Sequence, residues 1–421
     1  KIYSTNFKKF WISLKKNCKI CGSKSVKILL DFGLQPLCNR FCSAPGQEDY
    51  FYPMVLGQCE NCSLIQLTET VPASEIIPKV NWLKYSEPEG HLDNLAKIIC
   101  NLEDLPVNPV ASGITYKDDS LLRRLNENSF KKTWLIDPKL DLEINQKGIA
   151  GETIIPKLTN SSVYKITDKY GYADVVIARH VLEHALDTQA FLSLVWNMIK
   201  PGGYIVFEVP DCTKQLKFND YSMPWEEHIL YFVPETLKSS FGYTSYDLVK
   251  YLHYSYSSED AQVVIVQKPK AIKFKKNIQA SSDKFIVAKE YANNFENHKN
   301  IVYSYLKEYV AKIGKIVFYG AGHLSVMLIK SLNIENFIEC VIDDTEHKQG
   351  LYLPGTSLLI KPSEFMENEN ISLCILSLSI EYEDRIINNN QRFVDKGGVF
   401  LSAFSMQQNS LFNSARNSLQ L

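Results

Sequence analysis

Cys18-Lys19-Ile20-Cys21 and Cys59-Glu60-Asn61-Cys62 are two C-x-x-C pairs. Each pair can offer two thiolates from one turn, and two pairs can surround one Zn²⁺ tetrahedrally. A site with four thiolates is closed, so it serves structure and not catalysis. Gly22 follows the first pair and suits the tight turn that aims amides at the sulfurs. Cys38 and Cys42 lie between the pairs and are rival ligands, while Cys100, Cys212, Cys340 and Cys374 stand in or beside apolar runs and read as core filler. A second group of reactive types lies in Ala178-Arg179-His180-Val181-Leu182-Glu183-His184 and in Glu226-Glu227-His228. Imidazoles beside carboxylates move protons near neutral pH. The same residues also fit a helix end capped by His184 and a solvated helix start at 226–228.

The elements that must position these groups follow from the apolar pattern. Residues 16–70 form a small module with strand-like runs at 26–30 and 63–67, too small to stand without a staple. Residues 71–105 read as helical pieces broken at Pro72, Pro78 and Pro88. From 106 to 270 strands alternate with helices, which indicates a parallel sheet covered on both faces. Expected strands are 107–113, 133–137, 173–178 and 204–209, with a helix over 191–199 stopped by Lys200-Pro201-Gly202-Gly203 and an antiparallel edge at 245–257 and 262–266. Ligands of such sheets sit at the carboxyl ends of the strands. Gly113 ends the first strand, where a backbone can approach a ligand. Asp137 ends the second, placed either to accept two ribose hydroxyls or to cap the turn before Pro138. Residues 271–310 read as a linking helix. A second α/β unit occupies 311–421, with Gly320-Ala321-Gly322 after a strand and Asp343 ending the next; this is an incomplete dinucleotide fingerprint. His323 in that turn reads as a local hydrogen-bonding residue.

In order along the chain stand the two knuckles, Ile136-Asp137-Pro138, Ala178 to His184, Lys200-Pro201-Gly202-Gly203, Phe207-Glu208-Val209-Pro210-Asp211, Glu226-Glu227-His228-Ile229-Leu230-Tyr231-Phe232, Tyr319-Gly320-Ala321-Gly322, and Asp343-Asp344 with Lys348-Gln349-Gly350 and Pro354-Gly355-Thr356. This order resembles the zinc-containing, S-adenosylmethionine-dependent nucleotide-sugar C-methyltransferases of deoxysugar pathways. The resemblance covers about residues 17 to 405. It implies an α/β protein with a small N-terminal zinc module, a central Rossmann-like methyltransferase domain and a C-terminal Rossmann-like accessory domain that helps close over a nucleotide sugar. The implied cofactors are S-adenosylmethionine and Zn²⁺. The implied metal ligands are Cys18, Cys21, Cys59 and Cys62. Glu227, His228 and His184 fall on the family's functional positions, and Tyr85 on a further one. His228 is the expected base, oriented by Glu227 or Glu226, and His184 would hold an enolate or hydroxyl oxygen. Gly113, Asp137, Arg179 and His180 are the expected cofactor-side residues. Two stretches depart from the family. Ser112-Gly113-Ile114-Thr115-Tyr116-Lys117-Asp118-Asp119 stands where a glycine-rich loop is usual, which crowds the methionyl end of the donor and brings a lysine toward a sulfonium. Trp225 stands where a tyrosine is usual.

Bulk properties agree with an enzyme of this kind. The chain has 421 residues, 45% hydrophobic and 22% charged, with net charge −1. That length calls for two or three domains. The near-zero charge gives no field for a nucleic acid polymer. The basic stretch 1–15 lacks the apolar core of a secretion signal, and no run approaches the roughly 20 apolar residues of a membrane span. Ten cysteines without a signal fit a reducing, cytoplasmic setting. A monomer or homodimer is expected. Two other readings keep the scaffold: an epimerase, isomerase or NAD-linked enzyme that does not use the methyl donor, and a non-catalytic nucleotide-sugar binding subunit.

Overall fold

The computed structural model describes residues 17–47, 49–80, 87–145, 151–270, 285–368 and 370–418. In chain order its strands are β1 (Val26–Pro36), β2 (Phe51–Cys59), β3 (Ile65–Leu67), β4 (Val110–Gly113), β5 (Lys132–Leu135), β6 (Ala173–Arg179), β7 (Ile199–Asp211), β8 (Leu230–Tyr231), β9 (Asp247–Tyr254), β10 (Asp260–Gln267), β11 (Lys315–Tyr319), β12 (Ile338–Ile342), β13 (Ile360–Lys361), β14 (Ile371–Leu376) and β15 (Val399–Ser402). The helices that bear on the site are α1 (Leu92–Cys100), α2 (Asp119–Asn128), α3 (Thr188–Trp196), α4 (Phe285–Lys312) and α5 (His323–Leu332).

The strands form three sheets, and the mixed α/β class expected from the alternating pattern is the one observed. The central sheet runs β5-β4-β6-β7-β10-β9. Its first four strands are parallel, and β10 and β9 add the antiparallel edge. Every residue of β6 is buried, as a strand covered on both faces requires. The strand after β4 lies on one side of it and β6 on the other, so the sheet has its switch point between the carboxyl ends of β4 and β6. The C-terminal sheet, β13-β12-β11-β14-β15, is parallel throughout and has its own switch point between β11 and β14. Gly320 sits there with φ +107°, and an added Cβ would lie 2.6 Å from the Ser377 carbonyl oxygen, so the crossing needs glycine.

Two readings from local pattern change. Lys200-Pro201-Gly202-Gly203 does not follow the end of a helix; α3 stops at Trp196, and the four residues form an irregularity inside β7 between the pairings of Ala173 with Ile199 and Val175 with Tyr204. Cross-strand pairing outweighs the local stop signal there. The second change concerns β8. The N-terminal sheet runs β1-β2-β3-β8, so a strand from the E-E-H segment completes the sheet of the cysteine module.

Candidate functional site

Within the N-terminal sheet the four sulfurs of Cys18, Cys21, Cys59 and Cys62 all lie within 4.8 Å of one another. The Cys18 and Cys62 sulfurs are 3.5 Å apart and those of Cys21 and Cys59 are 3.6 Å apart. Zn–S bonds of about 2.3 Å require sulfurs only slightly farther apart in a tetrahedron. The two knuckles are built alike. The Gly22 amide donates to the Cys18 carbonyl and the Ser63 amide to the Cys59 carbonyl, each at 2.9 Å. Gly22 has φ +70° and Ser63 has φ +64°, so both turns end in the left-handed region. These residues fit zinc. Cys38 and Cys42 do not join the cluster: the Cys38 amide donates to Glu226 Oε1 at 2.6 Å, and the Cys42 carbonyl accepts the Tyr352 amide at 2.8 Å.

The cysteine sheet delivers the E-E-H segment to the central sheet. Ile65 pairs with Tyr231, and the Leu67 amide donates to the Ile229 carbonyl at 2.9 Å. On the other side the Ile229 amide donates to the Glu183 carbonyl at 2.7 Å. That bond fastens His228 beside the segment that follows β6. The His228 and His184 rings are 4.8 Å apart at 88°, and the Trp225 ring is 4.9 Å from that of His228. Burial pushes the His228 imidazole well below its ordinary range, and the nearby His184, Lys117, His323 and His180 push the same way. It is therefore neutral at neutral pH and able to take a proton. His184 and Glu227 also face a cleft of about 200 Å³ lined by Ala73, Ile76, Ile155, Leu158, Phe191 and Leu194. Glu226 turns away from the cleft to the Cys38 amide. Tyr85 lies outside the described residues.

At the switch point buried charges are paired. The Arg179 guanidinium donates to both Glu208 oxygens, at 2.7 and 3.1 Å, and to the Lys117 carbonyl at 2.6 Å. His180 Nε2 is 3.0 Å from Glu208 Oε1, and its Nδ1 is 3.4 Å from Glu183 and 3.7 Å from Glu87. His91, on the turn into α1, adds Nε2 at 3.2 Å from Glu208. Burial alone would raise the Glu208 carboxyl; Arg179, His180 and His91 outweigh it and hold it well below the usual carboxylate range. Arg179 and His180 thus lie at the expected edge, tied to Glu208 and Glu183, which stand in the motifs, and His180 also to Glu87, which stands in none. His180 also has φ +50°, an uncommon backbone state for a non-glycine residue of a kind that concentrates at functional sites. Burial would lower its pKa, but Glu87, Glu183 and Glu208 raise it to about 10. The unfolded imidazole titrates near 6.5, so the stabilisation is full below that pH and is lost as pH rises toward 10. Thermal melts from pH 6 to 10 are expected to fall in this window, and H180Q is expected to remove that slope.

The turn after β4 is held from within. Asp118 accepts the amides of Ile114, Thr115 and Arg179 at 2.7, 2.8 and 2.8 Å. Burial still raises its carboxyl to about 6. A Cβ on Gly113 would lie 2.7 Å from Asp118 Cβ and from Leu135 Cδ1. The glycine therefore admits the chain's own loop. Gly113→Ala should cost about 1–3 kcal/mol, read as a lower urea midpoint. Asp137 Oδ1 caps the following turn through the Lys139 and Leu140 amides, each at 2.9 Å. Its Oδ2 accepts no hydrogen bond among the described residues, which leaves one carboxylate oxygen for a hydroxyl. Tyr116 is 45% exposed. Lys117 Nζ is 2.6 Å from Glu87, so its charge is neutralised before it can oppose a sulfonium. These residues are compatible with S-adenosylmethionine: Asp137 keeps one carboxylate oxygen open, and the turn carries no unpaired lysine.

In the C-terminal unit, Asp343 Oδ2 accepts the Ala321 amide at 2.9 Å and Lys348 Nζ at 2.8 Å. The acid of the incomplete dinucleotide fingerprint is thus occupied by the chain's own lysine. His323 is not confined to its turn either; its ring stacks on Trp225 at 4.6 Å.

Three family models match in succession: a zinc binding domain over residues 18–76, a methyltransferase domain over 115–250, and a C-methyltransferase C-terminal domain over 266–404. No curated protein matches the chain in sequence. Among solved structures, a SAM dependent methyltransferase from Archaeoglobus fulgidus is 18% identical, covering 42% of this chain and 92% of its own, with a TM-score of 0.29. The CurJ carbon methyltransferase is 17% identical, covering 42% of this chain and 54% of its own, with a TM-score of 0.27. The N-methyltransferase NodS from Bradyrhizobium japonicum WM9, in complex with S-adenosyl-L-homocysteine, is 11% identical, covering 42% of this chain and 99% of its own, with a TM-score of 0.25. No helix among the described residues is long and apolar enough to cross a membrane. The methyltransferase domain uses S-adenosylmethionine and the cysteine cluster binds zinc. With its three matched domains in that order, the chain belongs to the zinc-containing C-methyltransferase family.

Proposed function

We propose that the chain methylates a carbon of a nucleotide-linked keto-deoxysugar in the cytoplasm. One observation carries this reading: a half-buried imidazole kept neutral, His228, stands 4.8 Å from a second, His184, beside the switch point of the methyltransferase sheet. Methylating carbon requires a carbanion equivalent, and a neighbouring ketone makes the C–H acidic enough for a positioned base. His228 takes that proton. His184 and Glu227, which share a cleft, hold sugar oxygens, and the apolar wall of the cleft receives the deoxygenated face. Tyr85 is a further sugar-side residue by resemblance. Gly113 and Asp137 stand on the donor side, with Arg179 and His180 fixing the floor. When bound, S-adenosylmethionine supplies the electrophilic methyl group. The zinc is structural.

The test is transfer of an isotopically labelled methyl group to dTDP- or GDP-4-keto-6-deoxyhexoses, with the product carbon located by NMR. No labelled product from either series removes the reading. The internally braced turn at Asp118 favours a second one, in which the same imidazoles exchange a proton without a donor, as in an epimerase. Deuterium incorporation into product with no methyl gain would select it.

A further inference from the structure

His323 opens α5 directly after the Gly320-Ala321-Gly322 crossing at the switch point of the C-terminal sheet. Its ring lies on the face of Trp225, centroids 4.6 Å apart and planes 15° from parallel. Trp225 is 4.9 Å from His228, and His228 is 4.8 Å from His184. The four rings therefore form one continuous wall. Three come from the segments after β6 and before β8, and the fourth comes from another domain. The C-terminal unit is braced so that this ring is held in place. Glu381 accepts the Ser257 and Ser258 amides at 3.1 and 3.2 Å and the Ser258 hydroxyl at 2.8 Å, and the Gly355 amide donates to Asp49 at 2.9 Å. Burial pushes the His323 imidazole down to about 4, although Glu87 works against this. It is thus an uncharged ring with one N–H donor and one acceptor.

We propose that His323 touches the substrate: its N–H donates a hydrogen bond to the sugar's carbonyl oxygen and keeps that bond as the oxygen becomes an enolate. This rests on the keto-sugar reading above. In the step, the C–H bond breaks and its proton goes to His228. The C–H electron pair becomes the C=C bond, and the C=O π pair moves to oxygen. His323 keeps its own proton throughout. Three features favour this role over plain packing. A neutral imidazole stabilises a nascent oxyanion without having to lose a charge-bearing proton. The ring is attached to a separate domain, so substrate can lie between the two switch points. Trp225 stacks on the ring and fixes its plane.

The experiment compares wild type, H323F and H323Q. H323F keeps the stack and loses the donor; H323Q keeps a donor. Two rates are read with dTDP-4-keto-6-deoxyglucose: donor-free deuterium exchange next to the ketone by NMR, and methyl transfer. Zinc content and circular dichroism establish that each variant is folded. Removing one donor of this kind lowers turnover by about 10²–10³-fold. H323F should lose about that much in kcat for both rates with KM within about threefold, and H323Q should recover part of the loss. Wild-type exchange matched by folded H323F within threefold overturns this proposal alone. A wild type that neither exchanges nor methylates any dTDP- or GDP-4-keto-6-deoxyhexose overturns the keto-sugar reading and this proposal together.

Discussion

H228N loses methyl transfer by about 10²–10⁴-fold in kcat, the range that a positioned general base contributes, while zinc content and melting temperature stay close to wild type. The expectation rests on what surrounds the ring. His184, Lys117, His323 and His180 face it, and burial comes first among the effects that lower its pKa. The base is therefore already deprotonated at neutral pH. The wild-type rate should stay level as pH falls through 6.5, where an ordinary histidine would be protonated, and decline only in more acid solution. A pH–rate profile that breaks near 6.5 would mean that the proton is taken by an ordinary solvated imidazole. Full activity in H228N would move the base elsewhere, and Glu183, whose carboxylate lies within 4.8 Å of His184 and His228, would be the next residue to replace.

Stripping the zinc disables the site without touching any of its residues. Zinc sites of this kind contribute about 10–16 kcal/mol of apparent binding energy, which in a small module is folding energy. The module here is a sheet of β1, β2 and β3 stapled by the four thiolates. Its outer strand β3 carries β8, the Leu67 amide holds Ile229, and the Cys38 amide holds Glu226. Those contacts are the mounts of His228. Chelation, or Cys59→Ser, should abolish methyl transfer and remove hydrogen-exchange protection over residues 225–232. The β6 and β7 amides, which lie within the central sheet, should stay protected. Elemental analysis should give one zinc per chain before treatment. If residues 225–232 stay protected after the metal has gone, the sheet is stable without its staple, and the coupling between metal and base does not exist.

Much of this molecule was legible from residue order, because local geometry encodes it. A C-x-x-C pair closes its own turn, so Cys18, Cys21, Cys59 and Cys62 could be picked out by spacing. Runs such as Lys315 to Tyr319 or Gln262 to Val266 show their strand character within a few residues. The same holds for the order of helices and strands, and so for the class of fold. Where local cues misled, a distant partner outweighed them. Lys200-Pro201-Gly202-Gly203 carries stop residues, yet the ladder with β6 draws it into β7. Asp343 ends a strand as a nucleotide-binding acid would, yet Lys348 occupies it.

The site itself depends on partners far apart in the chain. Arg179 with Glu208, Lys117 with Glu87, His91 with Glu208 and Trp225 with His323 share no periodicity that a reading of residue order could detect. They meet because strand order in two sheets brings their loops to the same edge. Spacing along a chain determines which backbone shape each segment prefers. Which buried charge or ring ends up beside which is decided only when the sheets assemble, since a charge leaves water at tolerable cost only where packing has placed its partner.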